Sequence, residues 1–255
     1  MRKFYKTIRE KENLGNEWVK EKRITRSQEL IRRLRQNKSA IVGITIIIFL
    51  VLCGIFADFI APNDPLEQSL SDRLKPGFWS DEGVPGKPLG TDAHGRCILS
   101  RIIYGTRYTL SVGFVALFIA TGIGIVFGVL SGYFGGGVDH IIMRFVDILF
   151  AFPALLLAIV IVAVLGTGLE KAMIAIGIVY SPQMARVVRG SVISVKEMDY
   201  IEAQHAIGSS SSRIIFHHVI PNSMAPIIVY GTLMLATAIL DAAALGFLGL
   251  GAQPP

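Results

Sequence analysis

The side chains in this sequence able to bind metal, carry protons or attack a substrate are five histidines, two cysteines and a few ionisable residues inside apolar runs. His217 and His218 are adjacent, so a helix points them to different faces. Neither has a carboxylate or cysteine at ligand spacing, which argues against a metal site. His94 and His140 flank a long apolar run and fall on opposite sides of it, so they cannot share a site. His205 lies in a short polar segment, where a surface or partner contact is its expected role. There is no Gly-x-Ser-x-Gly elbow for a nucleophile. No Gly-x-x-x-x-Gly-Lys-Ser/Thr loop is present to cradle phosphates, so this chain is not itself an ATPase. Cys53 sits in an apolar run and Cys97 in a polar loop, so a disulfide is not expected, and no zinc spacing exists. Arg144 and Asp147 lie three residues apart and are expected to pair on one helix face. Asp241 is deep in the last apolar run, where ionisable groups face protein or water rather than lipid. It is a candidate pathway residue, and the pattern as a whole points away from catalysis.

The elements that position these residues are apolar helices. The 255 residues are 52% hydrophobic and only 17% charged, with a mean hydropathy of +0.54; a soluble domain carries about a quarter charged residues. Apolar runs cover about Ser39–Ile60, Leu110–Phe134, Ile141–Leu165, Ala172–Val188 and Ala225–Leu250. Each is read as a span, since a bilayer crossing needs about 20 apolar residues. The expected fold is an all-α, polytopic transmembrane helical bundle. The net charge is +6, and the basic surplus sits before residue 39, in Lys20, Lys22, Arg23, Arg26, Arg32, Arg33, Arg35 and Lys38 among others. Basic residues beside an apolar run place the N-terminus in the cytoplasm. The segment has few aromatics for base stacking, so no nucleic-acid partner is expected. Its expected role is to set topology and touch anionic membrane lipid.

Four regions follow from this pattern. Residues 1–38 form a basic cytoplasmic segment, 39–60 the first transmembrane helix, and 61–106 an extracytoplasmic loop rich in Gly and Pro. Residues 107–255 form a core with four further transmembrane helices and a cytoplasmic segment at 196–221. In the second run Gly124, Gly128 and Gly132 recur at four-residue spacing and make a smooth strip for close helix approach. Packing within the chain is the expectation, ahead of a subunit interface.

The most informative stretch is Asp199-Tyr200-Ile201-Glu202-Ala203-Gln204-His205-Ala206-Ile207-Gly208. Asp199 followed by Glu202 reads as a capping box with Asp in place of Ser or Thr. Ala203 and Ala206 leave a patch of small side chains, and Gly208 can end the helix in the left-handed conformation. Pro221 fits the start of the next span.

Glu202-Ala203-Gln204, then Gly208, then Ile220-Pro221 resembles the EAA motif of ABC-importer permeases. Gly90-Thr91-Asp92-Ala93-His94-Gly95-Arg96, with Ser100-Arg101, resembles the external motif of the dipeptide/oligopeptide/nickel subgroup. Ala151-Phe152-Pro153-Ala154-Leu155-Leu156-Leu157-Ala158-Ile159 and Phe247-Leu248-Gly249-Leu250-Gly251-Ala252-Gln253-Pro254-Pro255 resemble it too, in the order of the "C"-type permease. The resemblance implies a type I ABC importer permease fold (MetI-like). It also implies a pore-forming subunit that imports short peptides across the plasma (inner) membrane of a prokaryote. Its partners would be a second homologous permease subunit, two cytoplasmic ATP-binding subunits and an extracytoplasmic solute-binding protein. ATP and Mg would be used by those ATPases, with no cofactor bound by this chain. Asp199, Glu202, Ala203, Gln204, Ala206, Gly208, Ile220 and Pro221 would carry the coupling to ATP hydrolysis.

The sequence departs from the family pattern at three places. Cys97 stands where the family usually has Asp, and Gln204 replaces the second alanine of the triplet, making the docking face bulkier and more polar. The family also continues beyond Gln-Pro-Pro with a loop and a sixth span, so five spans of an expected six, as in a truncated product, are expected here. The alternatives are import of nickel or another small solute by the same kind of permease, or a secondary transporter. The latter needs buried ionisable residues along a path and inverted repeats. Arg144, Asp147 and Asp241 are available, and no clear repeat is present.

Overall fold

The computed structural model describes residues 37–251. The basic segment before Asn37 and the terminal Ala252-Gln253-Pro254-Pro255 of the last motif lie outside the described residues. Among the described residues the secondary structure is helical, apart from one bridge between Thr91 and Cys97.

Two compact units divide the chain, residues 1–50 and 51–255. The described part of the first is the N-terminal portion of α1 (Lys38–Ile55). The Asn37 side chain accepts the Ala40 N–H at 3.2 Å, as residues that begin helices do. Ile46, Ile47, Ile48 and Phe49 on this helix are exposed, the surface of an element suited to lipid.

The second unit continues through α2 (Ala57–Ile60), which stops at Ala61-Pro62, where a helix cannot run on. A loop holding a 3-10 turn at Leu70–Asp72 leads to α3 (Ile98–Phe134). Then come α4 (Gly136–Phe150), α5 (Ala154–Leu165) and α6 (Leu169–Lys196). The chain ends with α7 (Asp199–Ala206), α8 (Ser211–Ile214), a π-turn (Ile215–Val219) and α9 (Ile220–Phe247).

At the centre lies α6, packed against α3, α5 and α9. Gly124, Gly128 and Gly132 of α3 are what allow this. A Cβ added to each would come within 2.4, 2.5 and 2.9 Å of Met184, Val188 and Val192. The glycine strip is therefore spent on packing within the chain, as expected.

The count of five spans is not confirmed. Among the described residues three helices are long and apolar enough to cross a membrane, or four if the bent pair α4 and α5 counts as one. That pair turns by 91° at Ala151-Phe152-Pro153, so the run 141–165 is not one straight helix. Pro153 has no N–H for the helix ladder and disfavours helical geometry at the residue before it. The expected fourth span falls on α6, which is long enough but more polar than the other three. Glu170 and Lys171 sit in its first turn, Ser181-Pro182-Gln183 interrupts its middle, and Arg186 and Arg189 follow in its second half. A helix so buried in its own bundle need not be apolar all round.

The helix that holds the run from Leu110 begins earlier, at Ile98. Pro221 falls in the first turn of α9, as expected, but no break precedes it, because the helix is continuous from Ser211 to Phe247. Pro221 sits just after the π-turn, where the Ile220 N–H reaches the Ile215 carbonyl. A proline ring clashes with the carbonyl four residues back, and a widened turn relieves that clash.

Candidate functional site

Only Glu197 and Met198 link α6 to α7, and the chain bends at Met198. Met198 is extended (φ −81°, ψ 141°) and precedes the helix, without a side-chain cap. The capping box expected from Asp199 and Glu202 therefore does not form. Asp199 is the first helical residue, and its carboxylate acts on the helix dipole from within the first turn.

The other end of α7 closes as expected. Gly208 is left-handed (φ 78°), its N–H reaches the His205 carbonyl at 3.0 Å, and the Ser209 N–H reaches the Gln204 carbonyl at 3.0 Å. This pair of bonds is a Schellman ending. The Ser209 hydroxyl also donates to the Gln204 side-chain oxygen at 2.9 Å. Gln204 is thus turned back on its own chain, and the bulk expected on the docking face is drawn aside.

One residue pins α7 to the bundle. Ile201 is 1% exposed and packs in a cluster with Val129, Tyr133, Val192, Val195, Ile214 and Val219. Around this peg Glu202, Ala203, His205 and Ala206 face outward, and Ile207 is 75% exposed. Tyr133 backs the segment: Lys196 Nζ donates to its carbonyl at 2.7 Å, and the His205 ring lies 6.4 Å from its ring. Neither Ile201 nor Tyr133 was singled out by the motif. An isoleucine between two polar residues of an otherwise polar helix was the available signal.

The loop motif behaves differently. Asp92 accepts the N–H groups of His94 (2.8 Å) and Arg96 (3.0 Å), Arg96 Nε (2.9 Å), and the Arg101 guanidinium. Burial pushes the Asp92 carboxyl up, but these N–H groups and guanidinium donors outweigh it and hold the carboxyl below the usual carboxylate range. Thr91 Oγ1 accepts the Lys75 N–H at 2.8 Å and donates to the Asp72 carbonyl. Ser100 accepts the Asn63 N–H at 3.1 Å. Lys87 bridges the Asp72 carboxylate and the Gly95 carbonyl, both at 3.0 Å, and its ammonium holds the Asp72 carboxyl low. Gly90 and Gly95 are left-handed, and a Cβ on Gly95 would come within 1.8 Å of the Ser69 carbonyl oxygen. Cys97 is buried directly before α3 and makes no capping bond, a task the Asp of the family pattern is equipped for.

Between α4 and α6, on the exposed flank of the bundle, the expected pairing of Arg144 with Asp147 is replaced. Asp147 pairs with Arg186 of α6 at 2.7 Å, and Asp139 with Arg189 at 2.6 Å. Both carboxylates of α4 thus face α6, which lies against it. Asp241 on α9 accepts the Tyr180 hydroxyl of α6 at 2.7 Å, and Tyr230 donates to Gln183 on the same two helices. These contacts join residues 47 and 61 positions apart, beyond the reach of spacing rules.

A family model described as "Binding-protein-dependent transport system inner membrane component" matches residues 124–255. A second, "N-terminal TM domain of oligopeptide transport permease C", matches residues 25–76. The chain is 48% identical over 229 residues to the dipeptide transport system permease protein DppC of Alkalihalophilus pseudofirmus, an alignment covering 89% of this chain and 73% of that relative. Identity to the Haemophilus influenzae protein of the same name is 42%, over 89% of this chain and 77% of the relative. For the glutathione transport system permease protein GsiD of Escherichia coli it is 40%, over 89% and 73%. Among solved structures, the inward-facing MetNI methionine ABC transporter superposes with a TM-score of 0.51 at 22% identity, covering 57% of this chain and 73% of that one. That likeness establishes the fold as the MetI-like helical bundle of ABC importer permeases. Matched in this way along its length, the chain is a multi-pass inner-membrane permease belonging to the binding-protein-dependent transport system inner membrane component family.

Proposed function

We propose that this chain is one of two homologous pore-forming subunits importing short peptides, driven by ATP hydrolysis in two separate cytoplasmic subunits that grip α7. The observation that carries the reading is the form of α7: a short helix pegged by one buried side chain, Ile201, with small exposed residues around it. A partner can approach the Ala203 and Ala206 face closely. Ile201 lies in the same packed cluster as residues of α3, α6 and α9, so displacing α7 displaces those helices. Interiors packed at crystal density transmit such shifts rather than absorb them.

In this proposal Asp199, Glu202, Ala203, Gln204, Ala206, Gly208, Ile220 and Pro221 form the coupling region, at a cytoplasmic 196–221 segment. The N-terminus is also cytoplasmic, following the basic residues before the first span. The 61–106 region then faces outward and meets a solute-binding protein. Gly90, Thr91, Asp92, Gly95, Arg96, Ser100 and Arg101 shape that loop. Asp241, held by Tyr180, contributes to the pathway. ATP and Mg belong to the partner subunits. The short-peptide reading rests on relatives named for dipeptides and for glutathione.

The test is a cysteine placed at Ala203 and crosslinked to the ATPase subunits of the assembled transporter. A crosslink whose yield changes with nucleotide is expected. An inserted, assembled complex that gives none would remove α7 from the coupling role.

A further inference from the structure

Between α4 and α6 lies an open cleft of about 530 Å³ walled by Asp139, His140, Arg144, Asp147, Arg186 and Arg189. Three guanidiniums face two carboxylates there, and both carboxylates are engaged. Arg189 takes both oxygens of Asp139 at 2.6 Å, and Arg186 takes Asp147 at 2.7 Å. Arg186 is further held over the Phe150 ring at 4.0 Å. Arg144 makes no hydrogen bond or ion pair among the described residues, so one positive charge in the cleft is unanswered.

The setting of Arg144 says what would answer it. Ile141, Arg144, Phe145 and Ile148 recur at the spacing of a single helix face, and the three apolar members are all exposed, Ile141 at 75%. With α5, this helix is apolar enough to belong to a span. An isolated cation on such a face stands at the edge of hydrocarbon, where leaving it unpaired is unfavourable.

We propose that the cleft between α4 and α6 binds the phosphate headgroup of an anionic phospholipid, with Arg144 as its principal contact and the Ile141–Phe145–Ile148 stripe as the bed for its acyl chains. Basic pockets between membrane helices bind such headgroups. A phosphate free in water would make the same contact with Arg144 but would gain nothing from the stripe, and this favours the lipid. The site is independent of which solute the permease carries.

The experiment uses the full chain purified in neutral detergent, with bound lipid counted by native mass spectrometry. Phosphatidylglycerol and phosphatidylcholine of identical acyl chains compete, with inorganic phosphate added in a separate arm. The expected result is a roughly tenfold preference for phosphatidylglycerol, the scale of a charge-assisted contact. Arg144→Gln brings that preference close to parity, Arg144→Lys keeps most of it, and Lys171→Gln, an exposed charge outside the cleft, leaves it unchanged. Because Arg144 makes no hydrogen bond or ion pair among the described residues, its replacement should leave thermal unfolding as it is. Equal retention of the two lipids by the wild-type chain would overturn the proposal, as would an undiminished preference in Arg144→Gln. Displacement of the lipid by millimolar inorganic phosphate would assign the site to a soluble anion instead.

Discussion

The loop at 61–97 and the helix α7 each carry a family-like motif, yet they use their residues in opposite ways. In the loop, the polar side chains of the motif are consumed internally: Asp92 answers four donors, Thr91 clamps Lys75 to Asp72, and Lys87 ties Asp72 to Gly95. In α7 nearly everything except Ile201 is turned outward and bonded to little. A stretch of Gly and Pro with no apolar cluster of its own keeps its shape by satisfying its polar groups on one another. A short helix lodged by one peg keeps its shape through the bundle, which leaves its surface free for recognition. A motif can therefore mark a structural knot in one place and a docking face in another, and burial and bonding distinguish the two.

The sharpest way to break this contrast is to remove the peg. Ile201→Ala should destabilise the segment by about 3–4 kcal/mol, as deletions of buried isoleucine do. Hydrogen exchange would speed up across 199–208 and leave 61–97 untouched. Equal effects on both regions would mean that they are not separately held.

Next comes the knot. Gly95→Ala combines strain at positive φ with a collision against the Ser69 carbonyl, for a cost of about 3 kcal/mol. Limited proteolysis should then cut within 61–97 at conditions where the wild-type loop resists. The depressed Asp92 carboxyl gives the same loop a pH signature. A carboxyl whose folded value lies below its unfolded value stabilises fully above the unfolded value, near pH 4, and that contribution is lost as pH falls through the folded value. Loop protection should be level from pH 7 to pH 5 and decline only below about pH 4; a decline near pH 6 would mean that another group holds the loop.

Smaller still is Gly208→Ala. Its backbone is as left-handed as that of Gly95, but nothing lies within 4 Å of an added Cβ. Only the conformational strain remains, about 1 kcal/mol, read as a modest downward shift in thermal unfolding. The comparison of the two glycines isolates packing from backbone preference.

The smallest effect on stability accompanies the largest on function. Ala203→Glu, on the exposed face of α7, should shift unfolding by no more than about 0.5 kcal/mol. In the reconstituted transporter it should abolish ATP-driven uptake while the permease remains assembled. Normal uptake in this variant would count against the docking face.

Several elements were legible from local rules. Gly208 ends α7 and Ala61-Pro62 ends α2, because φ preference and the missing proline N–H act within a few residues. The glycine strip of α3 announced a close helix contact through its spacing alone. Local rules also misled. The Asp199–Glu202 spacing suggested a cap, but the two-residue link from α6 makes Met198 the residue before the helix. The unbroken hydropathy of 141–165 hid the bend at Pro153.

Composition and apolar run length determined by themselves that this is a helical membrane protein, since span-length runs suit only one environment. Only the tertiary structure decided that Asp147 meets Arg186 rather than Arg144, that Tyr180 holds Asp241, and that α6 is the shielded central helix of the bundle. The physical reason is that helix rotation and tilt are set by neighbouring helices. Which of two cations a carboxylate faces, and which one is left free, is a property of the packed bundle.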